Sequence, residues 1–347
     1  MGFSGDRARR RLTIVAIVIV VAFLIAVVAG ALGSVPANAA TTVSAGVRNA
    51  ATLPDGCKPF VFLGFRGSGE ALAVDSDRNG YGLGPTLGPI YRGLASAATY
   101  SGKISWAYST PTGAYAYVPR AVPSFSSDST AAWGPYLDDL LKLNSERISA
   151  AVTSVHIKCP RSTVFVAGYS QGAYAVQLAY QNSMRNDLWG YFVRGLVLVG
   201  NPGEPTGFVT DMYDYCANGG ASSRTSFNQL ADSVTGFCAR VSSYAGTFAE
   251  HSAKLPSIVA PMPVKSVSDS ADILAHWTEN GDTTSSDMAN AGAAVSFFGP
   301  VAVALAEANV FVSNSQSGIA AHEGYKNTSA AATSIRSWAR ALPTRLR

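Results

Sequence analysis

The chain has 347 residues, enough for one large domain or two small ones with a sizeable core. Only 14% of the residues are charged and 48% are hydrophobic, which excludes a disordered chain. The formal net charge is +4, and Arg7, Arg9, Arg10 and Arg11 against Asp6 supply +3 of it, so no basic stripe remains to follow a nucleic-acid backbone.

Those arginines stand before "LTIVAIVIVVAFLIAVVAGAL" and then "VPANAA". A basic head, an apolar core and the Ala37-Asn38-Ala39 site read as a secretory signal peptide over residues 1–39. The apolar run, residues 12–32, is also long enough to span a bilayer, so a retained membrane anchor is the alternative. Either way the rest of the chain is expected outside the cytoplasm. Residues 40–56 are polar, small and aperiodic, and read as a linker to a single domain over 57–347.

Within that domain, apolar runs at 59–64, 102–108, 162–168, 192–200 and 262–267 read as strands. Trp133, Leu137, Leu141, Ile148, Val152 and Val155 recur at helical spacing and predict a helix over about 131–156. Ala173, Val176 and Tyr180 mark the inner face of a helix after the third strand. Near-continuous apolar strands alternating with helices predict a parallel sheet covered on both faces. Residues 203–258, rich in Gly, Ser, Thr and Asn, read as an insertion. The apolar stretch 295–312 contains Gly299, Pro300, Glu307 and Asn309, which argue against a second membrane span. It reads as a buried helix, with a wall over an apolar groove as the alternative.

The cysteines are Cys57, Cys159, Cys216 and Cys238, which allow three disulfide pairings. Their spacing fits no zinc pattern, and no metal is expected. Cys57 and Cys159 each stand just before an expected strand. In a parallel sheet both lie at its starting edge, which favours Cys57–Cys159 and leaves Cys216–Cys238 to close a local loop. Loop entropy gives these about 4 to 5 and about 3 kcal/mol respectively.

"VFVAGYSQGAYAV", residues 164–176, sets Ser170 between two glycines. In a chain with 33 glycines the G-x-S-x-G pattern alone is weak. Its place decides: Ser170 follows a strand and opens a helix, where such a turn presents a nucleophile. A serine nucleophile needs a base, and the base an orienting acid. His156 ends a helix at the wrong edge of the sheet and reads as a surface residue. His251 lies in the insertion. His276 is a helical turn from Asp272 and reads as its surface partner. His322, in a loop before a terminal amphipathic helix, is the expected base, with His276 second. Asp269 and Asp272 both follow the last strand, and position alone hardly separates them.

Four stretches resemble the cutinase-like serine esterases, a branch of the α/β hydrolases, and span Cys57 to Tyr325. They are "C…FVFLGFRGSGE", "CP…VFVAGYSQGA", the acid loop "VKSVSDSADILAH" and "HEGY". The resemblance implies a three-layer α/β/α sandwich with a central parallel sheet, and ester hydrolysis through an acyl-enzyme without cofactor. It places the nucleophile on Ser170, the acid on Asp272, the base on His322 and the oxyanion hole on Ser68 and Gln171. "RGSGE" reads in addition as a glycine turn closed by an Arg66–Glu70 pair that shapes the loop bearing Ser68. One departure stands out: in the family a second disulfide often closes the acid loop, whereas here Cys216–Cys238 lies upstream. The expected partner is an acyl ester of a lipid, polyester or cell envelope, bound by a monomer. The alternatives are an envelope acyltransferase with the same acyl-enzyme, or a non-catalytic envelope-binding protein.

Overall fold

The computed structural model describes residues 51–72, 81–109, 116–123, 130–183, 189–219, 232, 235–243, 264–268, 333–335 and 337. In chain order these form β1 (Phe60–Phe65), α1 (Gly84–Ala95), β2 (Ile104–Tyr108), α2 (Thr130–Asp138), α3 (Asn144–Lys158) and β3 (Thr163–Tyr169). There follow α4 (Gln171–Ser183), the single turn α5 (Trp189–Phe192), β4 (Val193–Val199), α6 (Phe208–Ala217), α7 (Phe237–Ser243) and β5 (Val264–Val267). All five expected strands are present, within a few residues of their expected ends.

The sheet runs β2-β1-β3-β4-β5 and every pair is parallel. Successive residues of a strand face opposite sides, and both sides are covered here. Val61, Leu63, Phe65, Val164, Val166, Leu196 and Leu198 pack against α3 and α4 through Ile148, Val152, Val155, Ala173, Val176 and Tyr180. Phe62, Phe165, Ala167, Val197 and Val199 face the other way, onto Leu87, Ile90 and Leu94 of α1 and onto Ile335. This is the α/β/α sandwich expected from the sequence. Because β1 lies between β2 and β3, the strand order reverses at β1 and β3. In open α/β sheets the crevice at the carboxyl ends of such strands is where ligands bind.

A third apolar cluster joins α2, α4, α6 and α7 through Trp133, Leu137, Tyr174, Leu178, Met212 and Phe237. The Cys216–Cys238 disulfide clasps α6 to α7, and an Asp138–Arg240 ion pair of 3.2 Å ties α7 to α2. Cys57–Cys159 bridges the amino-terminal edges of β1 and β3, so both pairings match the expectation. Ala51 is fully buried and Thr52 forms an antiparallel bridge with Tyr108. The chain is therefore already docked on β2 before it reaches Cys57.

Two details differ from the sequence reading. The helix expected over 131–156 is interrupted by a π-helical segment at Asp139–Leu143. There the buried Asp139 carboxylate receives Arg120 on one oxygen and Arg147, at 2.7 Å, on the other. The wider turn places Asp139, Leu140 and Leu141 inside together, a local irregularity of the kind often associated with function. His156 is only partly exposed, and its ring stacks on Phe192 at 4.1 Å and 8°.

Candidate active site

β3 delivers Ser170 at the switch point in a left-handed backbone conformation, φ 52°, which non-glycine residues adopt at a cost. Its N–H donates to the Val199 carbonyl at 2.9 Å, and its own carbonyl accepts from Tyr174 N–H at 3.1 Å as α4 begins. The flanking glycines are sterically required. A Cβ on Gly168 would lie 2.3 Å from the Gly172 carbonyl oxygen, and one on Gly172 only 2.2 Å from that of Phe65. The strand, the turn and the helix thus touch backbone to backbone, and Ser170 projects from a sharp strand-to-helix elbow.

The loop after β1 packs directly onto this elbow. A Cβ on Gly67 would meet the Tyr169 ring at 2.6 Å and Ser170 Cβ at 3.2 Å. The next residue, Ser68, donates its hydroxyl to Gln171 Oε1 at 3.3 Å and is hydrogen-bonded to Tyr136 of α2. Burial raises the Tyr136 phenol, and that bond works against the shift. Ser170, Ser68 and Gln171, the three described residues of the expected site, are therefore brought together. Asp269, Asp272, His251, His276 and His322 lie outside the described residues.

The RGSGE turn is closed differently from the expectation. No ion pair joins Arg66 to Glu70 among the described residues. Instead Glu70 Oε2 accepts from Gly67 N–H at 2.8 Å, and Oε1 accepts from the Thr86 hydroxyl at 2.7 Å in the first turn of α1. A carboxylate at a helix N-terminus is favourably placed against the helix dipole. Arg66 is buried; its carbonyl accepts from the Tyr117 hydroxyl at 2.6 Å, and its guanidinium acts on Glu70 through charge alone. Desolvation pushes the Glu70 carboxyl up, opposed first by its Thr86 and Gly67 hydrogen bonds. The same cause lowers the Arg66 guanidinium. The i, i+3 spacing of Gly67 and Glu70 could have disclosed the turn, but Thr86 and Tyr136 carried no signal in the sequence.

This wiring has a measurable consequence. In Glu70→Gln the amide presents a donor where one of two donors must be accepted. The variant is expected to lose about 10- to 100-fold in kcat/KM on a short acyl ester, the range of a charged hydrogen bond. Because the folded carboxyl has the higher pKa, the parent gains stability as pH falls through that raised value. The variant should lack that gain in melting midpoints followed against pH.

On the far side of α4, Gln177, Asn201 and Gly203 form a buried polar network. Asn201 Nδ2 donates to Gln177 Oε1 at 2.7 Å, Gln177 Nε2 to the Gly203 carbonyl at 3.2 Å, and Gly203 N–H to Asn201 Oδ1 at 3.0 Å. It secures the loop leaving β4 beneath the elbow helix. Among the described residues no group of three or more His, Cys, Asp or Glu side chains is placed to hold a metal ion.

Residues 125–256, which include the elbow, match the family model for cutinase. That stretch of the chain is similar to cutinase. No curated protein matches this chain by sequence. Among solved structures it is similar to an acetylxylan esterase, at 18% identity over 43% of this chain and 66% of that one, with a TM-score of 0.28. It is similar also to the rice cell wall degrading esterase LipA from Xanthomonas oryzae, at 13% identity over 76% of this chain and 81% of that one, with a TM-score of 0.25. The chain thus spans just under two thirds of the acetylxylan esterase.

Proposed function

We propose that the protein is an exported serine esterase that cleaves carboxylic acyl esters through a covalent acyl-enzyme. The observation that carries this reading is the strained Ser170 elbow, held between two irreplaceable glycines with the Ser68 loop packed against it. Ser170 Oγ attacks the ester carbonyl while His322 takes its proton and Asp272 orients the imidazole. The carbonyl oxygen becomes an oxyanion that receives the backbone N–H groups of Ser68 and Gln171 and the Ser68 hydroxyl. Collapse expels the alcohol with the proton from His322. Water, deprotonated by His322, then releases the acid and restores Ser170. The N–H groups at the start of α4 favour the developing negative charge.

Two disulfides support an oxidising compartment, reached through the segment at residues 12–32 as a cleaved signal or a retained anchor. The substrate is an acyl ester of a lipid, a polyester or a cell envelope. The test is labelling of the folded chain with a fluorophosphonate, together with hydrolysis of p-nitrophenyl esters from acetyl to palmitoyl. Labelling at Ser170 with turnover is expected, and the chain-length optimum sizes the acyl groove. Labelling without hydrolysis would instead indicate acyl transfer. A folded protein that takes no label would sink the enzymatic reading in favour of a binding role.

A further inference from the structure

Beside the nucleophile, the side chain of Gln171 has no part in the proposed reaction, which uses only its backbone N–H. The residue is 2% exposed. Its Oε1 accepts from Ser68, but Nε2 is buried and has no hydrogen-bond partner among the described residues. A buried orphan donor next to a nucleophile calls for a physical reason.

The hydrogen-bonding capacity of Ser68 supplies one. A serine hydroxyl offers one donor and two acceptor positions. In the structure the donor goes to Gln171 Oε1, and the same hydroxyl is hydrogen-bonded to Tyr136. The hydroxyl proton is therefore committed to Gln171 and not to the oxyanion of a bound substrate. To act there it must leave Oε1, which vacates the bond to Gln171. A half-turn of the amide about its last torsion brings Nε2 to the second acceptor position of Ser68. The serine then donates to the substrate oxygen and accepts from both Tyr136 and Gln171. The atom left over is an amide oxygen, which is less costly to leave unpaired than an N–H.

We infer that the Gln171 side-chain amide is a two-position positioning group for the oxyanion hole. It accepts from Ser68 in the free enzyme and donates to Ser68 when the substrate oxygen becomes negative. The inference rests on the serine-esterase reading above.

The test is a double-mutant cycle in the full chain, with steady-state kinetics on p-nitrophenyl butyrate. In Gln171→Glu the backbone N–H is kept, but the ionised side chain can only accept and so retains the Ser68 hydroxyl. Expected is a fall in kcat of about 10- to 100-fold near pH 8 with KM within threefold. As pH falls the protonated carboxyl can donate, so part of the loss should be recovered relative to the parent. In a Ser68→Ala background the same substitution should change kcat by less than about twofold. Gln171→Met, of similar volume, should lose several-fold in the parent background without that pH dependence, and nothing further in Ser68→Ala.

A kcat for Gln171→Glu within twofold of the parent, or an equal loss with and without the Ser68 hydroxyl, would overturn the inference. If Gln171→Glu does not fold, an equal loss for Gln171→Met in both backgrounds does the same. Failure of the esterase reading looks different: the unsubstituted chain takes no fluorophosphonate label and hydrolyses no ester, and the inference falls with it.

Discussion

Ser170→Ala is expected to reduce ester turnover by about 10⁴-fold or more, leaving only the residual rate that binding and oxyanion stabilisation support. In the proposed mechanism, loss of Oγ removes the atom that carries the acyl group. Binding and the proposed oxyanion donors are left, and these alone keep the rate about 10³- to 10⁴-fold above that in water. The fold should survive, because alanine meets much the same backbone cost at φ 52° as serine does, and the N–H bond to Val199 does not involve the side chain. The unfolding midpoint should therefore stay within about 1 kcal/mol of the parent, the ordinary range for a change that opens no large cavity. Kinetics on p-nitrophenyl butyrate and mass spectrometry of the fluorophosphonate adduct check the two halves. A variant that keeps more than a tenth of the parent rate would place the nucleophile elsewhere.

The second large effect is expected at Gly172. A Cβ there would lie 2.2 Å from the Phe65 carbonyl oxygen, 2.7 Å from that of Arg66 and 2.8 Å from the Phe65 carbonyl carbon. None of these atoms belongs to a flexible side chain, so the start of α4 must move away from the end of β1. Those two segments carry Gln171 and lead into Ser68, so the displacement strikes the core and the proposed oxyanion donors together. Gly172→Ala is expected to cost about 3 kcal/mol or more in urea unfolding and to lower kcat/KM by at least about 100-fold. Gly102→Ala is the control: it has open space around its Cβ but φ of 70°, so it meets only the left-handed penalty of about 1 kcal/mol. Equal losses in the two variants would mean that the contact at the elbow is not tight.

Much of this architecture was legible before any coordinates. β1, β3 and β4 are short β-branched and aromatic runs whose near-continuous apolar character itself implies burial on both faces. The disulfides followed because each first-pair cysteine precedes a strand by only a few residues, so strand direction carries them to one edge. Ser170 followed because a pattern of five residues, a strand and a helix are all local in the chain. The π-helical break at Asp139–Leu143 was not legible, because the apolar spacing of Leu137, Leu141 and Ile148 is compatible with an unbroken helix. At that turn a buried carboxylate meets Arg120 and Arg147, one of them 19 residues away in sequence.

The sequence by itself determined what depends on neighbours along the chain: the strands, the elbow, the serine at its tip and the edge on which the first cysteine pair lies. Only the tertiary structure decided which groups meet across the switch point. It set Gly67 against Ser170, turned the Ser68 hydroxyl onto Gln171, brought Tyr136 to Ser68, and gave Glu70 to Gly67 and Thr86 rather than to Arg66. The physical reason is the range of the forces. Period and backbone propensity act over a few residues, whereas the partners of Ser68 lie 68 and 103 positions away and meet only because the strand order reverses between β1 and β3.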